Sequence, residues 1–144
     1  CNLKRLIKRS FKMTLIELEQ VKKLSICVNV VSPSEIREIN KQTRNIDKVT
    51  DVLSFPSFDV SPFEKIENTV NISDRNIFLG DMALCMDEVR RQMEEYGESE
   101  KCVLARLVIH SLLHMLGFDH IKDEDFAKEI IIGINFFNED IQKC

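Results

Sequence analysis

The sequence predicts a single α+β domain in which helices pack against a small mixed β-sheet. Its 144 residues, 44% hydrophobic and 31% charged, match the size and composition of one ordinary globular domain spanning residues 1–144. The apolar residues follow a helical period in some segments and the two-residue period of strands in others. The resulting order is helix, strand, helix, strand, strand and three helices, which is typical of an α+β fold.

The N-terminal third of the chain predicts a helix, a strand and a second helix. Apolar residues recur at a rough helical period between basic residues from 2 to 19, which predicts an amphipathic helix. Residues 24–30 alternate between apolar and polar, as a half-buried strand does. Ser32 and Pro33 suit the cap and the first turn of a second helix, which we expect to end near Lys41.

The middle of the chain predicts two strands separated by a loop. After a polar stretch, residues 52–55 predict a short strand that Pro56 stops. Residues 57–76 have no convincing period and predict a long surface loop. Residues 77–85 predict the next strand, within which Gly80 indicates a bulge or a close approach of another backbone.

Three helices are expected in the C-terminal part. Residues 87–96 form a charged segment that Gly97 should end. Ser99 can cap the next helix, which runs to Leu116 and has apolar residues on so much of its surface that it must be central. Asp123 can cap a last helix with one apolar side.

All three histidines of the chain lie within residues 110–120, on the central helix and just beyond it. His110 and His114 are four residues apart, so a helix projects both imidazoles from one face. Gly117 can adopt the left-handed conformation that ends the helix and lets His120 approach the same point. Three neutral nitrogen ligands with one open position are typical of catalytic zinc.

Other interpretations of this histidine cluster remain open. A lone histidine on an apolar helix face is usually a core residue, but here three occur at ligand spacing. Imidazole also binds nickel, copper and iron, so zinc is favoured rather than established. The spacing overlaps with a zinc-peptidase pattern whose general base is a glutamate after the first histidine. That position is Ser111, which cannot accept a proton at neutral pH as a carboxylate does.

Three blocks of residues, in order along the chain, carry a family resemblance. One is the histidine block with Leu113, Gly117, Phe118 and Asp119; the others comprise Asn40, Arg44, Asp47, Lys48 and Thr50 to Pro56, and Leu79 to Cys85. Together they resemble the signatures of the YbeY family of bacterial rRNA maturation factors. Ser111 departs from the glycine usual after the first histidine. The family's additional N-terminal strand is not found in this sequence.

The resemblance implies a metal-dependent endoribonuclease that cuts single-stranded RNA. It implies roles in maturing the 3′ end of small-subunit rRNA and in ribosome quality control. One Zn²⁺ per chain is expected on His110, His114 and His120. Arg44 matches the family's functional arginine, and we expect Arg44 and His114 to be the catalytic residues. The expected partners are ribosomal RNA, the small ribosomal subunit and its assembly factors, with no DNA.

Charge and cysteine content bear on the binding partners and on the cellular compartment of the protein. Residues 1–48 carry 11 Lys and Arg against 5 Asp and Glu, a net +6, whereas residues 49–144 carry 9 against 19, a net −10. A basic N-terminal third could contact phosphate, although a solvated helix face explains it as well. Five scattered cysteines without a Cys-x-x-Cys pair, no secretory signal and no membrane segment predict a cytoplasmic protein. The missing initiator methionine suggests an incomplete N-terminus.

The sequence is compatible with three functions. The first is the zinc ribonuclease. The second is a zinc metallopeptidase-like hydrolase, which Ser111 disfavours. The third is a ribosome-assembly factor whose metal is only structural, and the sequence alone does not separate it from the first.

Overall fold

The computed structural model describes residues 24–59 and 77–117, together with Arg5 alone. Six elements follow one another in the described ranges: β1 Leu24–Val31, α1 Pro33–Arg44, β2 Val52–Pro56, β3 Ile77–Cys85, α2 Met86–Tyr96 and α3 Glu100–Met115. Their order confirms the six elements predicted between residues 24 and 116. The helix expected at 2–19, most of the loop expected at 57–76 and the helix expected after Asp123 lie outside the described residues.

The three described strands form one mixed sheet in the order β1-β3-β2. β3 pairs in parallel with β1 and antiparallel with β2, so the predicted mixed sheet is confirmed. Both faces of β3 are buried, because Met82 and Leu84 join one core cluster and Ala83 and Cys85 join another. β3 is the central strand of the three, because it pairs with β1 on one edge and with β2 on the other.

A bulge at Gly80 keeps the apolar residues of β3 on the correct face. The pairing with β1 skips Leu79, since Ser25 faces Phe78 and Ile26 faces Gly80. One extra residue reverses the inward and outward alternation, so Leu79 and Met82 pack in the same cluster despite their odd spacing. A Cβ on Gly80 would lie 2.2 Å from the carbonyl oxygen of Phe55. Both the bulge and the close approach predicted for Gly80 are therefore confirmed.

The end of α1 was predicted three residues too early, whereas the other boundaries that differ are off by one residue. α1 begins as expected, with the Ser32 side chain capping it and Glu35 completing a capping box, but it continues to Arg44 instead of ending near Lys41. Asn45 takes the left-handed conformation that ends it, with φ of 59°. β2 includes Pro56, because an edge strand tolerates a residue that cannot donate a ladder hydrogen bond.

α3 lies against the sheet and supplies most of the larger core. Eleven of its residues are buried, among them Leu104, Val108 and Leu112, and they pack with the β3 side chains Leu79 and Leu84. This confirms the central position expected for the helix. No helix among residues 24–59 and 77–117 combines the length and apolar content needed to cross a membrane.

Candidate metal centre

The two helical histidines lie on the stripe of α3 that remains half-exposed while its neighbours are buried. Arg106, His110 and His114 follow one another at a spacing of four residues and are each partly accessible. Ile109, Leu113 and the other residues around them are buried. The helix is therefore held firmly by its apolar faces while both imidazoles reach the surface, which is the support that a metal-ligand pair needs.

The geometry of the pair suits a shared metal ion. The Nε2 atoms of His110 and His114 lie 3.0 Å apart, and the rings stand edge to face with centroids 4.4 Å apart and an interplanar angle of 81°. Two nitrogens each about 2.05 Å from a tetrahedral zinc ion are separated by about 3.3 Å. The observed separation is within a few tenths of an ångström of that value.

The third proposed ligand, His120, lies outside the described residues. Within the described part of the chain, no group of three or more His, Cys, Asp and Glu side chains is placed to hold a metal. Gly117 has φ of 87° and its N–H donates to the His114 carbonyl at 3.1 Å. The left-handed turn expected directly after the ligand helix is thus present, and the full ligand set stays a prediction.

A contact that the sequence did not reveal lies beside the pair. Ser111, directly after His110, is 1% exposed, and its hydroxyl hydrogen-bonds the hydroxyl of Ser54 on β2 at 2.7 Å. The two serines are 57 residues apart, and neither carries a motif by itself. No local signal could have paired them.

Arg44 is the exposed last residue of α1. Its guanidinium has no hydrogen bond or ion pair with the other described residues. Arg44 does not pair with Asp47, which instead binds Arg37 at 2.7 Å and Lys41 at 3.6 Å. The Arg37 hydrogen bond lowers the pKa of the Asp47 carboxyl. No described contact joins Arg44 to the histidine pair.

The backbone after Arg44 is fastened to α1. The N–H of Ile46 donates to the Asn40 carbonyl at 3.4 Å, and the Asn40 side-chain amide donates to the Lys48 carbonyl at 2.9 Å. Asn40 is 4% exposed, so this bond lies within the packed part of the turn. The turn therefore gives Arg44 a fixed base while leaving its side chain in solvent.

A charged cleft of about 640 Å³ lies beside the start of β2. Its lining balances three basic against three acidic side chains, Arg37, Lys48 and Arg91 against Asp47, Asp51 and Glu88. Arg91 pairs with Glu88 at 2.8 Å, and this bond raises the pKa of Arg91. Since ion pairs already neutralise both arginines, the cleft does not have the excess positive charge of a phosphate site.

Comparison with known proteins gives a consistent family. The model of the family described as Endoribonuclease YbeY matches residues 1–131. A protein of that name from Caldicellulosiruptor bescii is 36% identical over 124 residues, covering 86% of this chain and 78% of the relative. Another from Leptospira interrogans is 44% identical over 120 residues, covering 73% of this chain and 85% of the relative.

A solved structure shares the fold. The solution structure of TM1509 from Thermotoga maritima aligns with a TM-score of 0.63 over 99% of this chain and 89% of that one, at 23% identity. This likeness supports the α+β arrangement of a small mixed sheet with helices.

Proposed function

The chain belongs to the endoribonuclease YbeY family, and from that membership we propose that it is a zinc-dependent endoribonuclease specific for single-stranded RNA. The family supports an endoribonuclease role in the maturation of ribosomal RNA. The proposal adds the 3′ end of small-subunit rRNA as the substrate and ribosome quality control as a second role.

The observation that carries the proposal is the His110–His114 pair. Their Nε2 atoms face each other at 3.0 Å on the half-exposed stripe of a buried helix. We propose that these two atoms and an imidazole nitrogen of His120 hold one Zn²⁺ per chain. Bound there, zinc would supply Lewis-acid chemistry at the scissile phosphate and would favour deprotonation of the attacking water.

Arg44 is proposed to grip the phosphate that is cut. A guanidinium offers planar, paired N–H donors that match two phosphate oxygens and stabilise the charge that develops on them. The exposed Arg44 side chain has no partner among the other described residues, so binding a phosphate breaks no described ion pair. We assign the catalytic roles to Arg44 and His114.

The metallopeptidase alternative is weakened by the position of Ser111. Its hydroxyl is buried and hydrogen-bonded to Ser54, so it neither reaches solvent nor acts as the carboxylate base of those peptidases. The assembly-factor alternative keeps the same metal and the same rRNA contact but no cleavage. It therefore differs from the proposal only in the chemistry.

The proposal places the protein in the cytoplasm with ribosomal RNA, the small ribosomal subunit and its assembly factors as partners. DNA is not expected as a substrate. DNA lacks the 2′-hydroxyl group by which a protein can distinguish RNA from DNA at a given site.

The test is cleavage of a precursor fragment that spans the 3′ end of small-subunit rRNA. The zinc-loaded chain, the chelator-treated chain and His114→Ala are each given the fragment alone and annealed to its complement. Cleavage of the single strand by the zinc-loaded chain alone supports the proposal. Zinc bound one to one without cleavage in any lane would support the assembly factor, and digestion of an unfolded test protein would support the peptidase.

A further inference from the structure

We infer that the Ser54–Ser111 hydrogen bond is a positioning contact that sets the direction of the His110–His114 pair. The inference rests on the metal site of the proposed function and adds two residues to it. It follows from the 2.7 Å bond between the hydroxyls, from the near-complete burial of Ser111 and from its place between the two histidines in the chain.

The rest of the packing around this part of α3 is non-directional. Within α3, all of whose residues are described, Ser111 is the one buried polar side chain. Its neighbours along the helix, among them Leu107, Leu112 and Met115, are buried and apolar. Apolar packing holds a helix against a sheet but tolerates small rotations and slides better than a hydrogen bond does. The hydroxyl pair therefore provides a directional contact from the C-terminal half of α3 to β2.

The position of Ser111 on the helix makes this contact effective. At 3.6 residues per turn, Ser111 lies about 60° around the helix from His114 and about 100° from His110. An imidazole nitrogen about 7 Å from the helix axis moves roughly 1 Å for each 10° of helix rotation. Ligand geometry must be held to about 0.5 Å, so even a rotation of this size matters to a metal site.

A second polar network fixes the other half of α3. The Gln92 amide of α2 donates to Asp51 at 2.7 Å, and Arg106 of α3 donates to Gln92 at 3.2 Å and to Glu98 at 2.9 Å. This network lies toward the start of the helix, and the serine pair lies beside the ligands. Removing the serine bond leaves the first anchor in place, so the expected loss is in ligand position rather than in folding.

The contact requires a hydroxyl at both positions. A glycine at position 111 would have no side chain with which to reach Ser54. Ser54 would then need another partner for its half-buried hydroxyl. Ser111→Gly thus removes the bond and also lowers the helix propensity at this position, whereas Ser111→Ala removes the bond without that loss.

The test measures metal affinity by competition with a chromophoric chelator, together with the visible spectrum of the Co²⁺-loaded protein. Ser54→Ala and Ser111→Ala are each expected to weaken zinc binding about tenfold, the scale found when groups that orient ligands are removed. Their double variant should be no weaker than either single one, because both remove the same bond. Ser54→Thr keeps the hydroxyl and should retain the wild-type affinity.

Ser25→Ala is the matched control. It also removes a half-buried hydroxyl that donates a hydrogen bond, here to the Ile77 carbonyl at 3.3 Å, but Ser25 lies on β1. Unchanged affinity and Co²⁺ spectrum in folded Ser54→Ala and Ser111→Ala would overturn the positioning role while leaving the metal site standing. Equal weakening in Ser25→Ala would also overturn it, because the effect would be general loosening. Absence of metal uptake by the wild-type chain would overturn the metal site, and the positioning role with it.

Discussion

The Nε2 atoms of His110 and His114 lie 3.0 Å apart, one helical turn from each other on α3. This relationship follows from two features of the sequence, the spacing of four residues and a helix whose other faces are buried. As a result, the two imidazole nitrogens lie close enough together to bind one metal ion at the surface of the helix.

Loss of either histidine should remove tight metal binding. Replacing His110 or His114 by alanine leaves at most two of the three proposed ligands, and we expect zinc affinity to fall by more than about 100-fold, beyond the effect of an orienting group. Metal content after dialysis measures this. Lys101→Ala, an exposed change on the same helix, should retain one zinc per chain. Full zinc content in both histidine variants would contradict the ligand assignment.

Arg44→Ala should reduce RNA cleavage without reducing stability. The exposed side chain has no bond to the other described residues, so its loss should leave the unfolding midpoint unchanged. If it stabilises the charged phosphate, kcat/KM should fall about 10²- to 10³-fold, and Arg44→Lys should recover only part of the rate because lysine lacks the fork. The control is Arg90→Ala, a solvent-exposed helix arginine paired with Asp87. Equal losses in Arg44→Ala and Arg90→Ala would argue against a specific role.

Replacement by alanine should destabilise the protein more at Gly80, within β3, than at Gly97, which follows the last residue of α2. Gly97 has φ of 65° and open space around it, so Gly97→Ala should destabilise by about 1 to 2 kcal/mol. Gly80 has φ of 149°, and its added Cβ would overlap the Phe55 carbonyl, which forces β2 away from β3. The loss in free energy of unfolding, measured with urea, should therefore be larger for Gly80→Ala than for Gly97→Ala by about 2 kcal/mol or more. Similar losses would mean that the close approach at Gly80 is wrong.

The capping box of α1 should make stability depend on acid pH. The Ser32 N–H and the Ser32 hydroxyl both donate hydrogen bonds to the Glu35 carboxylate. These bonds, the N–H bond more than the hydroxyl bond, lower the pKa of Glu35 below the ordinary value near 4.5. A lowered folded-state pKa contributes stability above the ordinary value, and the contribution is lost as pH falls through the folded-state pKa. Glu35→Gln should therefore destabilise more at pH 7 than at pH 3, measured by urea unfolding. An equal effect at both pH values would contradict the ionised capping box.

The sequence was sufficient where a local rule decides the structure. Ser32 with Pro33 marks a helix start, alternation marks β1, and Gly80 marks a distortion of β3. The end of α1 was misplaced because Asn45, which takes the left-handed conformation, carries a weaker stop signal than glycine.

Contacts between distant residues could not be predicted in the same way. The Ser54–Ser111 bond joins β2 to α3, and its partners become neighbours only once α3 has packed on the sheet. The Asp51–Gln92 bond is likewise formed across 41 residues of chain. By contrast, the histidine pair was predictable because helix geometry alone fixes the distance between residues i and i+4.

The most direct test of the account is the rate of RNA cleavage as metal-free protein is titrated with zinc. We expect cleavage to rise with added zinc and to reach a plateau at one zinc per chain, and we expect His114→Ala to stay inactive throughout. Cleavage by the metal-free chain at the rate of the zinc-loaded chain would contradict the zinc dependence of the reaction proposed for the site at His110 and His114.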